Sequence, residues 1–241
     1  MSYRKAFYFD NESSKDYGLY ISGNNTFSGP EMNIEKVSIP GRSGDLFISG
    51  DSYKNCDYSY SAFVESVYGQ RRLEEKIADI RSWLLSKKGY KRLEDDYHRD
   101  EYRLAMFKGS VNFSTIYFQA GGITITFDCK PQRFLKLGEK PLTYTAGTVT
   151  LINPTKFTAN PLISVTGTAG TLTVNSKRVQ LLETSGITID SEVEQAYTGT
   201  TFKNDKVKLL DNVFPKLVPG LNTIVVPTGM TITLTPRWYI L

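Results

Sequence analysis

Between Gln70 and Lys88 the sequence QRRLEEKIADIRSWLLSKK places Leu73, Ile77, Ile80 and Leu84 at spacings of 4, 3 and 4, one apolar stripe of an amphipathic helix. Gly89 follows as a C-cap, and Lys87 and Lys88 lie where cations suit the negative end of the helix dipole. Elsewhere in the first half the period is two. Strands are predicted at Tyr3 to Phe9, Leu19 to Ser22, Glu35 to Ile39 and Asp57 to Glu65 ahead of the helix. After it come Lys91 to Asp95, Glu101 to Phe107, Gly109 to Phe118 and Gly122 to Lys130. Two alternating sets are clean: Cys56, Tyr58, Tyr60, Ala62 and Val64, and Ile123, Ile125, Phe127 and Cys129. Each reads as the core face of a strand, with both cysteines as small buried hydrophobes rather than reactive groups.

The pattern changes after Phe134-Leu135. The stretch LKLGEKPLTY carries Gly138 and Pro141, and beyond it threonine becomes frequent and no helical period recurs. This marks a boundary between a first domain, residues 1–137, and a second, residues 138–241. Eight short strands are predicted in the second: Thr148 to Ile152, Pro161 to Thr166, Thr171 to Val174, Arg178 to Leu182, Gly186 to Asp190, Lys206 to Leu210, Leu221 to Val226 and Met230 to Thr235. Strands at such spacing, bounded by Gly, Pro and Asn, predict an antiparallel β-sandwich. The fold class is mainly β, of the α+β kind.

Composition narrows the chemistry. The 241 residues carry a net charge of +4, shared evenly between the two halves, so no basic arm or acidic tail selects a nucleic acid or a membrane. One histidine, His98, and two cysteines exclude a His/Cys zinc site, a disulfide framework and a multi-histidine catalytic centre by count. The N-terminal residues lack the ~7–15-residue apolar run of a signal peptide, and no stretch of ~18 apolar residues occurs. The expectation is a soluble chain made in the cytoplasm.

The run LEDDYHRDEY, Leu93 to Tyr102, concentrates Glu94, Asp95, Asp96, Asp100 and Glu101. Such carboxylates serve hard cations or paired-acid hydrolysis, but the spacing is not that of a calcium loop. The simpler reading is a solvated turn between two strands, with His98 at the surface. GRSGDLFISG, Gly41 to Gly50, lacks the lysine and following helix of a phosphate loop, and no G-x-S-x-G elbow exists. YRKAFYF interleaves bases and aromatics only briefly. No catalytic, metal-binding or cofactor-binding set is predicted, and a non-enzymatic two-domain protein is favoured over a glycosidase.

Three further motifs have physical readings. Pro40, Gly41, Arg42, Gly44 and Asp45 describe a tight turn with room for positive φ, across which Arg42 and Asp45 are placed to pair, either inside one subunit or at a contact between subunits. FPKLVPG, Phe214 to Gly220, fixes a bend that presents Phe214 and Leu217 to a core. Trp238 reads as an anchor of the sandwich.

The same segments carry a resemblance. EKVSIPGRSGDL, Glu35 to Leu46, resembles a signature of the distal tail proteins, hub components at the tail tip of long-tailed bacteriophages. KDYGLYISG (Lys15 to Gly23), the following GPEMN, RSWL (Arg81 to Leu84) and ITITFDCKPQRF (Ile123 to Phe134) are similar to the rest of that family's N-terminal domain. NPTKFTANPLISVTGTAG (Asn153 to Gly170), ITID (Ile187 to Asp190), FPKLVPGLNTI (Phe214 to Ile224) and PRW (Pro236 to Trp238) continue it in order. The resemblance implies a barrel-like N-terminal domain with one helix and a long hairpin, and a galectin-like C-terminal sandwich. It implies a homohexameric ring that joins a tail tube of major tail protein, enclosing the tape measure protein, to a tail-associated lysin or fibre. Receptor-binding or baseplate proteins would dock at its periphery. The chain is then a virion protein of the tail tip, made in the host cytoplasm, without tight nucleic-acid binding or membrane insertion. The strand, polar tip and strand from Leu93 to Phe118 suggest the intersubunit arm, with Glu94, Asp95, Asp96, Asp100 and Arg103 as interface candidates. A carbohydrate-binding, lectin-like adhesion protein is the alternative, since sandwiches often carry sugar sites.

Overall fold

Phe7 and Phe9 are fully buried with Tyr8 between them less so, and this alternation makes β1 (Phe7–Phe9). In the computed structural model, which describes residues 4–23, 29–65, 72–109, 114–117 and 120–241, the chain forms two units, Met1–Arg133 with Leu241 and Phe134–Ile240. In the first, Asp10 and Asn11 both take positive φ, the requirement of a two-residue hairpin turn, and return the chain as β2 (Glu12–Ser13). There follow β3 (Leu19–Ile21), β4 (Met32–Val37), β5 (Leu46–Tyr53), β6 (Cys56–Glu65), α1 (Leu73–Ser86), β7 (Lys91–Asp95), β8 (Glu101–Phe107), β9 (Ser114–Tyr117) and β10 (Ala120–Leu135). All the strands but β4 and β5 join one sheet in the order β2-β1-β7-β8-β10-β6-β3, with β9 also on β10. The Ile21 N–H donates to Lys5 O at 3.0 Å, so the strand at the far end of that order returns to the residues just ahead of β1. The sheet therefore curls into the barrel-like form expected, with one helix.

Inside lies an aromatic core. Phe7 stacks on Tyr60 at 5.1 Å and on Trp83 at 5.5 Å, while Phe127 meets Phe9 and Phe107. The helix contributes Leu73, Ile80 and Leu84 as its stripe predicts, with Ile77 packed against the core, and adds Trp83, which the stripe omits. Residues 70 and 71 of the predicted helix lie outside the described residues. The helix also stops short of Lys88. Lys87 is its C-cap with extended φ and ψ, its ammonium pairs with Asp10 at 3.3 Å and with Glu12, and Gly89 takes its positive φ only beyond. Tyr3 of the first predicted strand lies outside the described residues, and β1 begins at Phe7; the strand predicted at Glu35 to Ile39 lies at Met32–Val37, and that at Gly109 to Phe118 is described only at Ser114–Tyr117. The last strand runs past Pro131, because its partner β6 ends opposite Cys129 and the proline falls beyond that ladder.

The second unit holds β11 (Leu142–Tyr144), β12 (Gly147–Asn153), β13 (Leu162–Gly167), β14 (Gly170–Val174), β15 (Lys177–Leu181), β16 (Ile187–Asp190), β17 (Gln195–Thr198), β18 (Thr201–Phe202), β19 (Val207–Leu209), β20 (Gly220–Val226), β21 (Met230–Thr235) and β22 (Tyr239–Ile240). Two antiparallel sheets, β11-β21-β13-β16-β17-β18 and β12-β20-β14-β15-β19, form the predicted sandwich. Its core alternates as the sequence does: Ile163, Val165, Ile232 and Leu234 from one sheet, and Leu172, Val174, Val179, Leu181 and Ile224 from the other, all essentially without exposure. Leu217 is fully buried and Phe214 packs against the same core, as the proline-bounded bend requires. Trp238 is buried there too. Its backbone passes so close to Gly138 that a Cβ on the glycine would stand 2.3 Å from the Trp238 nitrogen. The strands β11, β17, β18 and β22 have no counterpart in the eight predicted, since two to four residues leave too little chain for a period.

Candidate assembly surface

β4 and β5 pair only with each other, as a two-stranded ribbon apart from the curled sheet. Their register sets Val37 opposite Leu46, Lys36 opposite Phe47, Glu35 opposite Ile48 and Ile34 opposite Ser49. Directly opposed residues share a face. One face therefore carries Val37, Leu46 and Ile48 with Glu35, and the other Ile34 and Phe47 with Lys36. All seven of these large or charged positions are exposed, Phe47 the most of the apolar ones at 55%. A two-stranded ribbon with apolar side chains in water on both faces is marginal by itself and gains by covering them.

The ribbon's turn is the Pro40 to Asp45 motif. The Arg42 N–H donates to Ile39 O at 3.2 Å, with Gly41 at φ +79°, so Ile39-Pro40-Gly41-Arg42 is a turn with proline presetting its first central residue and glycine taking the left-handed second. Gly44, at φ +89°, makes the second reversal that feeds β5. Arg42, Gly44 and Asp45 are exposed at this tip, and among the described residues Arg42 and Asp45 form no ion pair with each other. Sequence reading found the turn but not the strand after it. The available signal was Leu46-Phe47-Ile48, three consecutive apolar residues that one strand face has no way to hide together.

Of the Leu93 to Phe118 segment expected as an arm, residues 110–113 and 118 lie outside the described residues, and the part from Leu93 to Phe107 lies inside the curled sheet. Strands β7 and β8 are interior strands, each paired on both sides, so neither offers a free edge. The polar tip folds back onto its own unit. Asp95 is buried, accepts the Tyr60 hydroxyl at 2.7 Å and the N–H groups of Tyr97 and His98, and lies 3.3 Å from His98 Nδ1. Asp96 accepts the Ala6 N–H at 2.9 Å and pairs with Lys15 at 3.3 Å. Glu94 pairs with Arg92. Arg103 is buried with its guanidinium over the Tyr58 ring at 4.3 Å, Glu101 accepts from Arg133 at 2.9 Å, and only Asp100 of the five arm candidates is exposed. His98 is likewise not a surface residue: its side chain is 18% exposed and its ring meets Tyr58 edge-on. Burial beside Asp95 pushes the Tyr60 hydroxyl well above its ordinary pKa, so Tyr60 stays a donor. The cluster orients a turn, and Glu94, Asp95, Asp96 and Glu101 are engaged by neighbours of the same unit, while Asp100 is exposed.

No protein-family model and no curated protein matches the sequence. Solved structures do. The chain superposes on the crystal structure of the Dit protein of phage SPP1, described as a paradigm of the hub adsorption apparatus in phages infecting Gram-positive hosts, with a TM-score of 0.73 and 16% identity over 98% of this chain and 99% of that one. It also matches a chain of the phage p2 baseplate in its activated, strontium-containing conformation, with a TM-score of 0.50 and 11% identity over 96% and 97% of the two chains. The fold is thus the one the ordered motifs imply, over nearly the whole length of both chains.

Proposed function

We propose that this chain is a hub subunit of a bacteriophage tail tip, whose first unit assembles into a ring of six. The fold shared with the SPP1 hub protein supports the class of function. The observation that carries the ring is the ribbon: Ile34, Val37, Leu46, Phe47 and Ile48 stand in water on a two-stranded sheet that its own unit leaves uncovered among the described residues. A ring needs two different patches per subunit, and a protruding ribbon laid on the neighbour supplies one of them. Here the Pro40 to Asp45 turn, rather than the acidic tip, is the leading end of the contact.

In this role the protein works by geometry and not by making bonds. The ring joins the tail tube and its tape measure protein above to a tail-associated lysin or fibre below, offers docking positions to receptor-binding proteins, and resides in the virion after synthesis in the host cytoplasm. A net charge of only +4 suits a lumen through which nucleic acid passes without being held. Light scattering and negative-stain microscopy of the purified chain test the reading. Six-lobed rings are expected, and an unchanging monomer at high concentration counts against it. Retention on host cell-wall polysaccharide in a pull-down would instead favour the lectin-like alternative.

A further inference from the structure

Cys56 and Cys129 are both free thiols, and the ladder between β6 and β10 sets them directly opposite each other. Opposed residues of an antiparallel pair project to the same face with Cα atoms about 4.5–5.5 Å apart. That separation falls inside the ~4.4–6.8 Å window that a disulfide tolerates. The two thiols differ in access: Cys129 is fully buried in the aromatic core, while Cys56, at the end of its strand, is half-buried. We infer that Cys56 and Cys129 form an oxidation site, closed to a cross-strand disulfide by low-molecular-weight disulfides such as oxidised glutathione.

A second feature of the site points the same way. Arg103 sits over Tyr58 with one guanidinium N–H group buried and without a hydrogen-bond partner. Burial raises the pKa of both thiols, Cys129 to about 12, and the Arg103 charge opposes that rise at each of them. The Arg103 charge offsets part of the rise that burial imposes on the thiolates through which exchange proceeds, although the net shift of both thiols stays upward. Access and electrostatics together order the steps. The Cys56 thiolate attacks one sulfur of oxidised glutathione, forming a mixed disulfide and releasing glutathione thiolate, which takes up the proton Cys56 gave. Cys129 then loses its proton and its sulfur attacks the Cys56 sulfur, expelling the second glutathione as a thiolate that takes up that proton. Two protein thiols are oxidised and one glutathione disulfide is reduced to two thiols. The product ties β6 to β10 at the end of their ladder and closes the loop between residues 56 and 129, which restricts the unfolded chain. This inference is independent of the assembly reading, since it uses only the ladder, the burial and the charge at this site.

The intact chain, incubated under native conditions with oxidised glutathione, alkylated and digested without reduction, gives the test by mass spectrometry. The expected product is a Cys56–Cys129 cross-linked peptide from monomeric chain, with a melting temperature raised by roughly 5–10 °C and restored to its starting value by dithiothreitol. Cys129→Ser is expected to leave glutathione on Cys56, and Cys56→Ser to leave Cys129 unmodified. The wild-type experiment needs neither variant to fold. The inference fails if both wild-type thiols stay free, if Cys56 keeps its glutathione with Cys129 unreacted, or if the cross-link joins two chains.

Discussion

Asp190 and Arg237 form the best-defined ion pair of the second unit, with Arg237 Nη1 and Nη2 donating to the two carboxylate oxygens at 2.6 and 3.0 Å. Burial acts to raise the Asp190 pKa, but the Arg237 hydrogen bonds and the Glu192 N–H outweigh it and hold the carboxyl below its ordinary 3.8. A depressed pKa in the folded state contributes stability that is complete above the unfolded value and disappears as pH falls through the folded one. Asp190→Asn should therefore cost about 2 kcal/mol at pH 7, less than for a fully buried pair because Arg237 is partly exposed, and less again at about pH 2. Urea denaturation at both pH values reads the difference. Gly138→Ala tests contact rather than charge. Its new methyl meets backbone, which has no rotamer to yield, so a loss of about 2 kcal/mol or more is expected in the same measurement. The pair was invisible in the sequence, because Asp190 and Arg237 are far apart in it and nothing local marks them as partners. Gly138 was noticed there only as punctuation.

The elements differ in how openly they declare themselves. The helix stripe and the alternations of β6 and β10 were legible because one face of each meets a core. Trp83 escaped the stripe, yet it lies stacked between Tyr17 at 4.5 Å and Phe7, on the flank that the curled sheet happens to cover. The ribbon of β4 and β5 was half-seen for the opposite reason: a strand with no covered face has no reason to alternate. That gives it a separable signature. Replacing Leu46 and Phe47 with aspartate removes little internal packing, so the unfolding free energy from urea denaturation should change by no more than about 0.5 kcal/mol, while assembly into the proposed ring is lost by light scattering. A large fall in stability would place the ribbon against its own chain instead. The Leu93 to Tyr102 run misled in the other direction, because a string of carboxylates looks solvated until Tyr60, Lys15, Arg92 and Arg133 are brought to it.

At the level of the whole molecule, each unit has its own hydrophobic core. Residues 134–240 expressed alone should accordingly fold as a sandwich and unfold cooperatively, which circular dichroism and amide dispersion in NMR spectra would show. A molten fragment would mean that the second core depends on the first. The sequence by itself determined what local pattern encodes: a helix with its apolar stripe, two alternating strand faces that each carry a cysteine, a Thr-rich sandwich, the turn at Pro40 to Asp45, and an ordered set of motifs that resembles the distal tail proteins. Only the tertiary structure decided which strands are interior and which protrude, that the acidic tip is held inward, and that Cys56 stands opposite Cys129. Period and composition report whether a residue meets some core. Pairing across tens of residues depends on strand order and register, which arise when separate segments compete for the same hydrogen-bonding edges, and no local stretch of chain holds that information.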